Sequence, residues 1–420
     1  MLASFCSATD AARKRSPKST AGTPEGCIGL TLRLTVRWRK NLPLRWTSCE
    51  SDGSSISFFI LEMSKKRHMG EDPFEALLSI LGFPGSPYLR RILEYMMTPI
   101  QAKVAAALPG EVEEIARKVG MSQEEVKNIL EELWFKGLVF PKDFDQRNYF
   151  RFARDLVQLH DATLATQHLD PIKDKKYFEL WHEFGINEFY KGMGELLSAV
   201  FTKPIWRVIP AYGAIKDMEG VLPHENIVEM INAQDNLAVV PCSCRQVKIA
   251  IGEPCEYTDE SKVWHCTQFA RGAEYVVKRG SGKPLTKQEA IRLMEEVERD
   301  GLIHMGPNNS RMVVNTICNC CSDCCEFFNF YRHGNVPPEV LTAKSRFEAY
   351  VDAEKCVGCQ TCVERCHFDA IELVKSEGSK KYKARVIPEK CFGCGLCVVG
   401  CEVGAMKFKI VRPPEHIPSD

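Results

Sequence analysis

Residues 356–401 carry one cysteine pattern written twice. The first copy, VDAEKCVGCQTCVERCHFDAIEL, places Cys356, Cys359, Cys362 and Cys366, and the second, VIPEKCFGCGLCVVGCEVGAMKF, places Cys391, Cys394, Cys397 and Cys401. Both follow C-x2-C-x2-C-x3-C, and each carries an alanine four residues past its last cysteine, Ala370 and Ala405. Three thiols spaced by two residues fit one short loop around a shared centre, while the fourth starts a helix that points away. Zinc is the competing reading, but zinc sites pair two short Cys/His motifs across a longer gap and do not need four thiolates in this spacing. Disulfides fit less well still.

The repeat resembles that of bacterial ferredoxins with two [4Fe–4S] clusters. The resemblance implies crossed ligation, one cluster on Cys356, Cys359, Cys362 and Cys401 and the other on Cys391, Cys394, Cys397 and Cys366. The ferredoxin pattern has proline after the fourth cysteine of each run, and here those places hold His367 and Glu402. A charge or hydrogen-bonding group beside a cluster shifts its reduction potential, within an overall range of roughly −700 to +450 mV.

The 420 residues and 45% hydrophobic content suffice for two to four domains with real cores. Zero formal charge gives no global field for nucleic acid or a membrane surface. No apolar run approaches the ~20 residues needed to span a bilayer. Twenty cysteines, gathered in tight groups with no secretory signal before them, point to metal–sulfur chemistry in a reducing cytoplasm and to an anaerobic redox pathway. No Rossmann or P-loop pattern is present, since GSGK at Gly280–Lys283 lacks the required spacing, and there is no radical-SAM cysteine triplet.

Residues 1–68 differ from the rest, with Ser, Thr and Arg, scattered Cys6, Cys27 and Cys49, and little periodicity. They read as an unfolded or mis-assigned extension, the natural start being Met63 or Met69, with a transit peptide as the second reading. Residues 69–143 read as one domain, in which Leu93 to about Lys142 pattern as helix, helix, helix, strand. TPIQAKVAAALP and GEVEEIARKVG supply the first two helices. SQEEVKNILEELWFKG supplies a third with a Ser122/Glu125 capping box and a stripe of Val126, Ile129, Leu130 and Leu133, followed by GLVFPK as a strand. This resembles the winged-helix fold. Its third helix holds Glu124, Glu125, Glu131 and Glu132 against Lys127 and Lys136, the wrong sign for phosphate, so nucleic acid is not the expected partner.

Residues 144–335 read as a mixed α/β domain with its own thiols. FRFARDLVQLHDATL and KKYFELWHEFGINEFYKGMGELLSAVF are expected as long helices, and their His160, His168 and His182 as packing or surface residues. A strand, NLAVV, ends in PCSCR with Cys242 and Cys244. A second, RMVVNTI, runs into CNCCSDCC with Cys318, Cys320, Cys321, Cys324 and Cys325. Two strands that end in thiols are expected as neighbours in one sheet, bringing these seven residues to a common metal centre. The centre is a further iron–sulfur cluster or a zinc site built from Cys321-x2-Cys324 and Cys242-x-Cys244. Cys255 and Cys266 are expected as free thiols and Arg245 as a charge partner of the centre, with His265 as a non-thiol ligand only in a second, less favoured reading.

The fold class expected is α+β multidomain: a winged-helix-like N-terminal module, a mixed α/β cysteine-rich middle domain, and a ferredoxin-like 2[4Fe–4S] domain over residues 346–412. The layout resembles iron–sulfur proteins of anaerobic bacteria and archaea, a likeness that implies no substrate. The function expected is electron transfer with redox partner proteins. An iron–sulfur reductase with a catalytic middle centre and a redox-sensing winged-helix regulator are the alternatives.

Overall fold

The computed structural model describes residues 72–194, 202–375 and 382–419. The expectations for residues 1–68 and for the end of the second long helix lie outside these residues. The described chain is mixed α/β, and none of its helices is long and apolar enough to cross a membrane.

The first part is helical because its helix ends are written into the sequence. Ser86 accepts from the Leu89 amide, and Thr98–Gln101 and Ser122–Glu125 form capping boxes at the starts of Pro99–Ala106 and Gln123–Lys136. Gly120 and Gly137 close Val112–Val119 and Gln123–Lys136 in the left-handed region. Val126, Leu130 and Leu133 of the third helix are buried and Ile129 partly so. Three short strands follow the order Gly110–Glu111, Tyr149–Phe152, Val139–Pro141, all antiparallel. The central strand of this sheet is part of the segment expected as one long helix. Phe150 and Phe152 alternate inward with period two, and the helix starts only at Leu156, where Asp155 accepts from the Gln158 amide at 2.7 Å. Helix Lys175–Phe184 continues through a π-helical turn, Gly185–Phe189.

The middle region is a seven-stranded sheet in the order Thr342–Ala343, Trp206–Ile209, Ile303–Pro307, Thr316–Cys320, Cys266–Phe269, Leu237–Val240, Lys283–Pro284. Every pairing is antiparallel except the first. The thiol-bearing strands Leu237–Val240 and Thr316–Cys320 share this sheet but are not neighbours, because Cys266–Phe269 lies between them and pairs antiparallel with both. Two antiparallel steps make the outer strands parallel, so their C-terminal ends and the N-terminal Cys266 of the middle strand meet at one edge.

The C-terminal region holds two antiparallel two-stranded sheets, Phe347–Val351 with Met406–Ile410 and Ile371–Lys375 with Tyr382–Val386. It docks on the middle region through Arg365, which donates to the carbonyls of Glu298 (2.5 Å) and Arg299 (2.9 Å), and through Phe368, packed against Phe328 at 5.5 Å. One apolar core cluster runs from Phe74 to Leu396.

Candidate metal centres

The sequence repeat is repeated in backbone conformation. Within each C-x-G-C-x-x-C loop two residues adopt positive φ: Gly358 (75°) and Gln360 (74°) in the first, Gly393 (68°) and Gly395 (79°) in the second. These left-handed residues curl the loop so that successive thiols face inward. After the fourth cysteine the parallel continues, with Asp369 at φ 52° and Gly404 at 61°. The amides of Ala370 and Ala405 then donate to Cys366 Sγ and Cys401 Sγ, each at 3.2 Å, while Met406 N reaches Cys401 Sγ at 3.3 Å and Ala384 N reaches Cys356 Sγ at 3.4 Å.

Cys356, Cys359, Cys362 and Cys401 line one cavity together with Leu373, Ala384, Ala405 and Met406. Three of its thiols come from the first copy and one from the second. Burial, then the charges of Cys356 and Cys359, raises the Cys362 thiol to about 11. In the other set, burial and the nearby Cys366 and Cys391 raise Cys394 to about 12, and burial with Cys394, Cys391 and Cys366 raises Cys397 well above its ordinary value. A donor set of thiols alone, with amides aimed at the sulfurs and apolar walls, fits an iron–sulfur cluster, whose anionic sulfurs need hydrogen bonds and exclusion of water.

The nine middle thiols divide in two. In the first group each sulfur interacts with the next around a ring: Cys242 with Cys244, Cys244 with Cys325, Cys325 with Cys320, Cys320 with Cys318, Cys318 with Cys266, and Cys266 back towards Cys242. Cys325 Sγ and Cys320 Sγ are 3.4 Å apart. Cys242 and Cys325 also stand at the N-caps of helices Ser243–Ala250 and Glu326–His333. Hydrogen bonding with Cys266, then Cys320, lowers the Cys318 thiol to about 5, and hydrogen bonding with Cys244, then Cys320, lowers Cys325 to about 6. An array that shares protons this way can exchange them for metal.

The second group is Cys255, Cys321, Cys324 and Asp323, whose ligand atoms all lie within 4.8 Å of one another. Cys255 Sγ is 3.6 Å from Cys321 Sγ, and Asp323 Oδ2 accepts from the Glu256 amide at 2.8 Å. The vicinal pairs are therefore split, with Cys320 and Cys325 in the ring and Cys321 and Cys324 outside it. Strand Thr316–Cys320 ends between Cys320 and Cys321, and the turn that follows separates the later pair. Of the four thiols in the zinc reading, Cys321 and Cys324 converge with Cys255 and Asp323, while Cys242 and Cys244 belong to the first group.

Arg245, 1% exposed, donates to Cys321 Sγ at 3.5 Å, as expected for a charge partner. Burial pulls its guanidinium down, but the thiols of Cys321, Cys242 and Cys255 outweigh that and hold it protonated. His265 is not a ligand through Nδ1, which takes the Arg245 guanidinium at 3.2 Å, and burial and Arg245 lower its imidazole to about 4. Cys255, Cys266 and Asp323 were not legible as site residues. Cys266 opens a strand and Cys255 sits in a loop, without the paired spacing that marks the others, and only the CSDC phrase around Asp323 gave a local signal.

The family model of the 4Fe-4S dicluster domain matches residues 349–408, so the chain carries a C-terminal 4Fe-4S domain, with [4Fe–4S] cofactors and a general role with redox partners. No curated protein and no solved structure matches the chain.

Proposed function

We propose that the protein is an electron carrier with three iron–sulfur centres. Two are held in the C-terminal domain, one by Cys356, Cys359, Cys362 and Cys401 and one by Cys391, Cys394, Cys397 and Cys366, and a third is held by the six-thiol ring of the middle domain. When bound, such clusters accept and release single electrons without bond rearrangement in the protein. The observation that carries the reading is that both halves of the repeat contribute thiols to the same cavity, the crossed arrangement of a two-cluster domain.

The residues around the thiols tune and protect. Amides of Ala370, Ala405, Met406 and Ala384 disperse negative charge on the sulfurs, which favours the reduced state. Phe368 and Phe392 wall off the side that faces the middle domain. Six thiols exceed what a single tetrahedral ion takes, which supports a polynuclear centre in the ring.

The helices of residues 99–136 with their three-stranded sheet are read as a winged-helix-like module used for docking or structure. Its third helix pairs Lys127 with Glu131 at 3.2 Å and Lys136 with Glu132 at 2.7 Å, so its lysines answer its own acids in place of phosphate. Iron and sulfide analysis of anaerobically purified protein, with EPR after reduction, tests the proposal. About twelve irons per chain are expected, and about eight would remove the third centre.

A further inference from the structure

We infer that Cys255, Cys321, Asp323 and Cys324 bind a single tetrahedral divalent ion of the zinc class, separate from the iron–sulfur centres. The inference does not rest on the electron-transfer reading, because it follows from ligand geometry alone. Two sulfurs bound to one tetrahedral ion at ~2.3 Å stand about 3.8 Å apart. The Cys255–Cys321 separation is 3.6 Å, and all four donors fall within 4.8 Å. A cubane spreads its thiolates over separate irons, as the cavity lined by Cys356, Cys359, Cys362 and Cys401 allows, whereas four donor atoms within 4.8 Å of one another suit a single ion. Among the described residues no other three Cys, His, Asp or Glu side chains converge so tightly, the six-thiol ring included.

The donors are also built for the task. Cys321-x2-Cys324 is a short chelating loop that closes two bonds with little loss of chain entropy, and both sulfurs are buried. Asp323, inside that loop, is oriented by the Glu256 amide at 2.8 Å, next in sequence to the ligand Cys255. Three thiolates and a carboxylate on a dication leave net negative charge, which the guanidinium of Arg245 on Cys321 Sγ offsets.

The position of the loop gives the ion a structural role. Ser322, enclosed between Cys321 and Cys324, donates its amide to His367 Nδ1 at 3.1 Å and meets the Tyr257 hydroxyl at 3.1 Å. His367 Nε2 donates to the Gly301 carbonyl at 2.6 Å, and Tyr257 packs against the His367 ring at 4.4 Å. His367 follows Cys366, a thiol of the C-terminal domain. An ion that fixes the loop therefore fixes the seat on which that domain docks, at the place where ferredoxins carry proline.

Metal analysis and zinc-edge X-ray absorption on the full anaerobically purified chain test the inference. The expected result is about one zinc per chain with three sulfurs near 2.3 Å and one oxygen near 2.0 Å. Asp323→Cys is expected to keep the zinc and convert its shell to four sulfurs, and Cys324→Ala to lose about nine-tenths of it, with iron unchanged in both. The wild-type spectrum serves even if Cys324→Ala fails to fold. Zinc below about a tenth per chain in the wild type, a shell without oxygen, an unaltered shell in Asp323→Cys, or iron lost together with zinc would overturn it.

Discussion

The C-terminal and middle thiols are brought together in opposite ways. In the repeat, contiguous loops shape the site: left-handed residues at fixed places curl C-x-G-C-x-x-C around a cavity, and only the fourth thiol crosses over. In the middle domain, no loop holds more than a fraction of either group. The ring draws on the ends of three strands and two helix N-termini, and the second group on a loop and a chelating turn. A locally encoded site survives changes elsewhere in the fold, whereas an assembled one exists only when the sheet does.

The largest expected effect breaks that contrast directly. Cys320→Ala should remove the ring's centre, about four irons, and unfold the central sheet with it, whereas Cys397→Ala should cost the same iron and leave the middle region folded. Iron analysis with hydrogen exchange over residues 237–320 checks this, and equal damage from both variants would erase the distinction.

Next is the polar link beneath the sheet. Buried Glu298 accepts from the amides of Tyr212 (2.6 Å) and Gly213 (3.0 Å) and meets His304 Nε2 at 3.2 Å. Burial pushes its carboxyl up, but His304 and those amides pull it further down, below the ordinary carboxylate value. Glu298→Ala should destabilise by about 3–5 kcal/mol. A carboxyl with a lowered folded pKa stabilises above its unfolded pKa of about 4.3 and loses that contribution as pH falls. The gap in melting temperature between variant and wild type should therefore hold near pH 7 and narrow below about pH 4.3; a gap unchanged in acid would contradict the assignment.

Two smaller changes compare the copies of the repeat. At Gly393 (φ 68°) a side chain would meet the Phe347 carbonyl and the Ser345 hydroxyl, so Gly393→Ala should lower stability by about 2–4 kcal/mol in thermal unfolding. The first copy carries Gln360 in the left-handed conformation that Gly395 holds in the second. Gln360→Gly should be neutral or stabilising by up to about 1 kcal/mol, and a clear loss would mean that the Gln360 side chain matters beyond its backbone.

Much of this architecture was legible. The capping box at Ser122 announces its helix from a few adjacent residues, and it forms as read. Tyr149–Phe152 was misread because its aromatic residues fit either period until Asp155 is seen to cap the helix. The expectation that NLAVV and the strand before CNCC lie side by side failed because nothing in either strand reveals an intervening partner.

What the sequence determined by itself is the C-terminal domain: the spacing of eight cysteines, the small residues in its loops and the two alanines specify a local geometry, because every thiol but one in each set lies within a few bonds of the next. What only the tertiary structure decided is the partition of the nine middle thiols into a ring of six and a group of three with Asp323. Neighbouring cysteines such as Cys320 and Cys321 lie on opposite sides of the backbone where a strand ends. Their sulfurs therefore answer to different partners, and sequence adjacency carries no information about which.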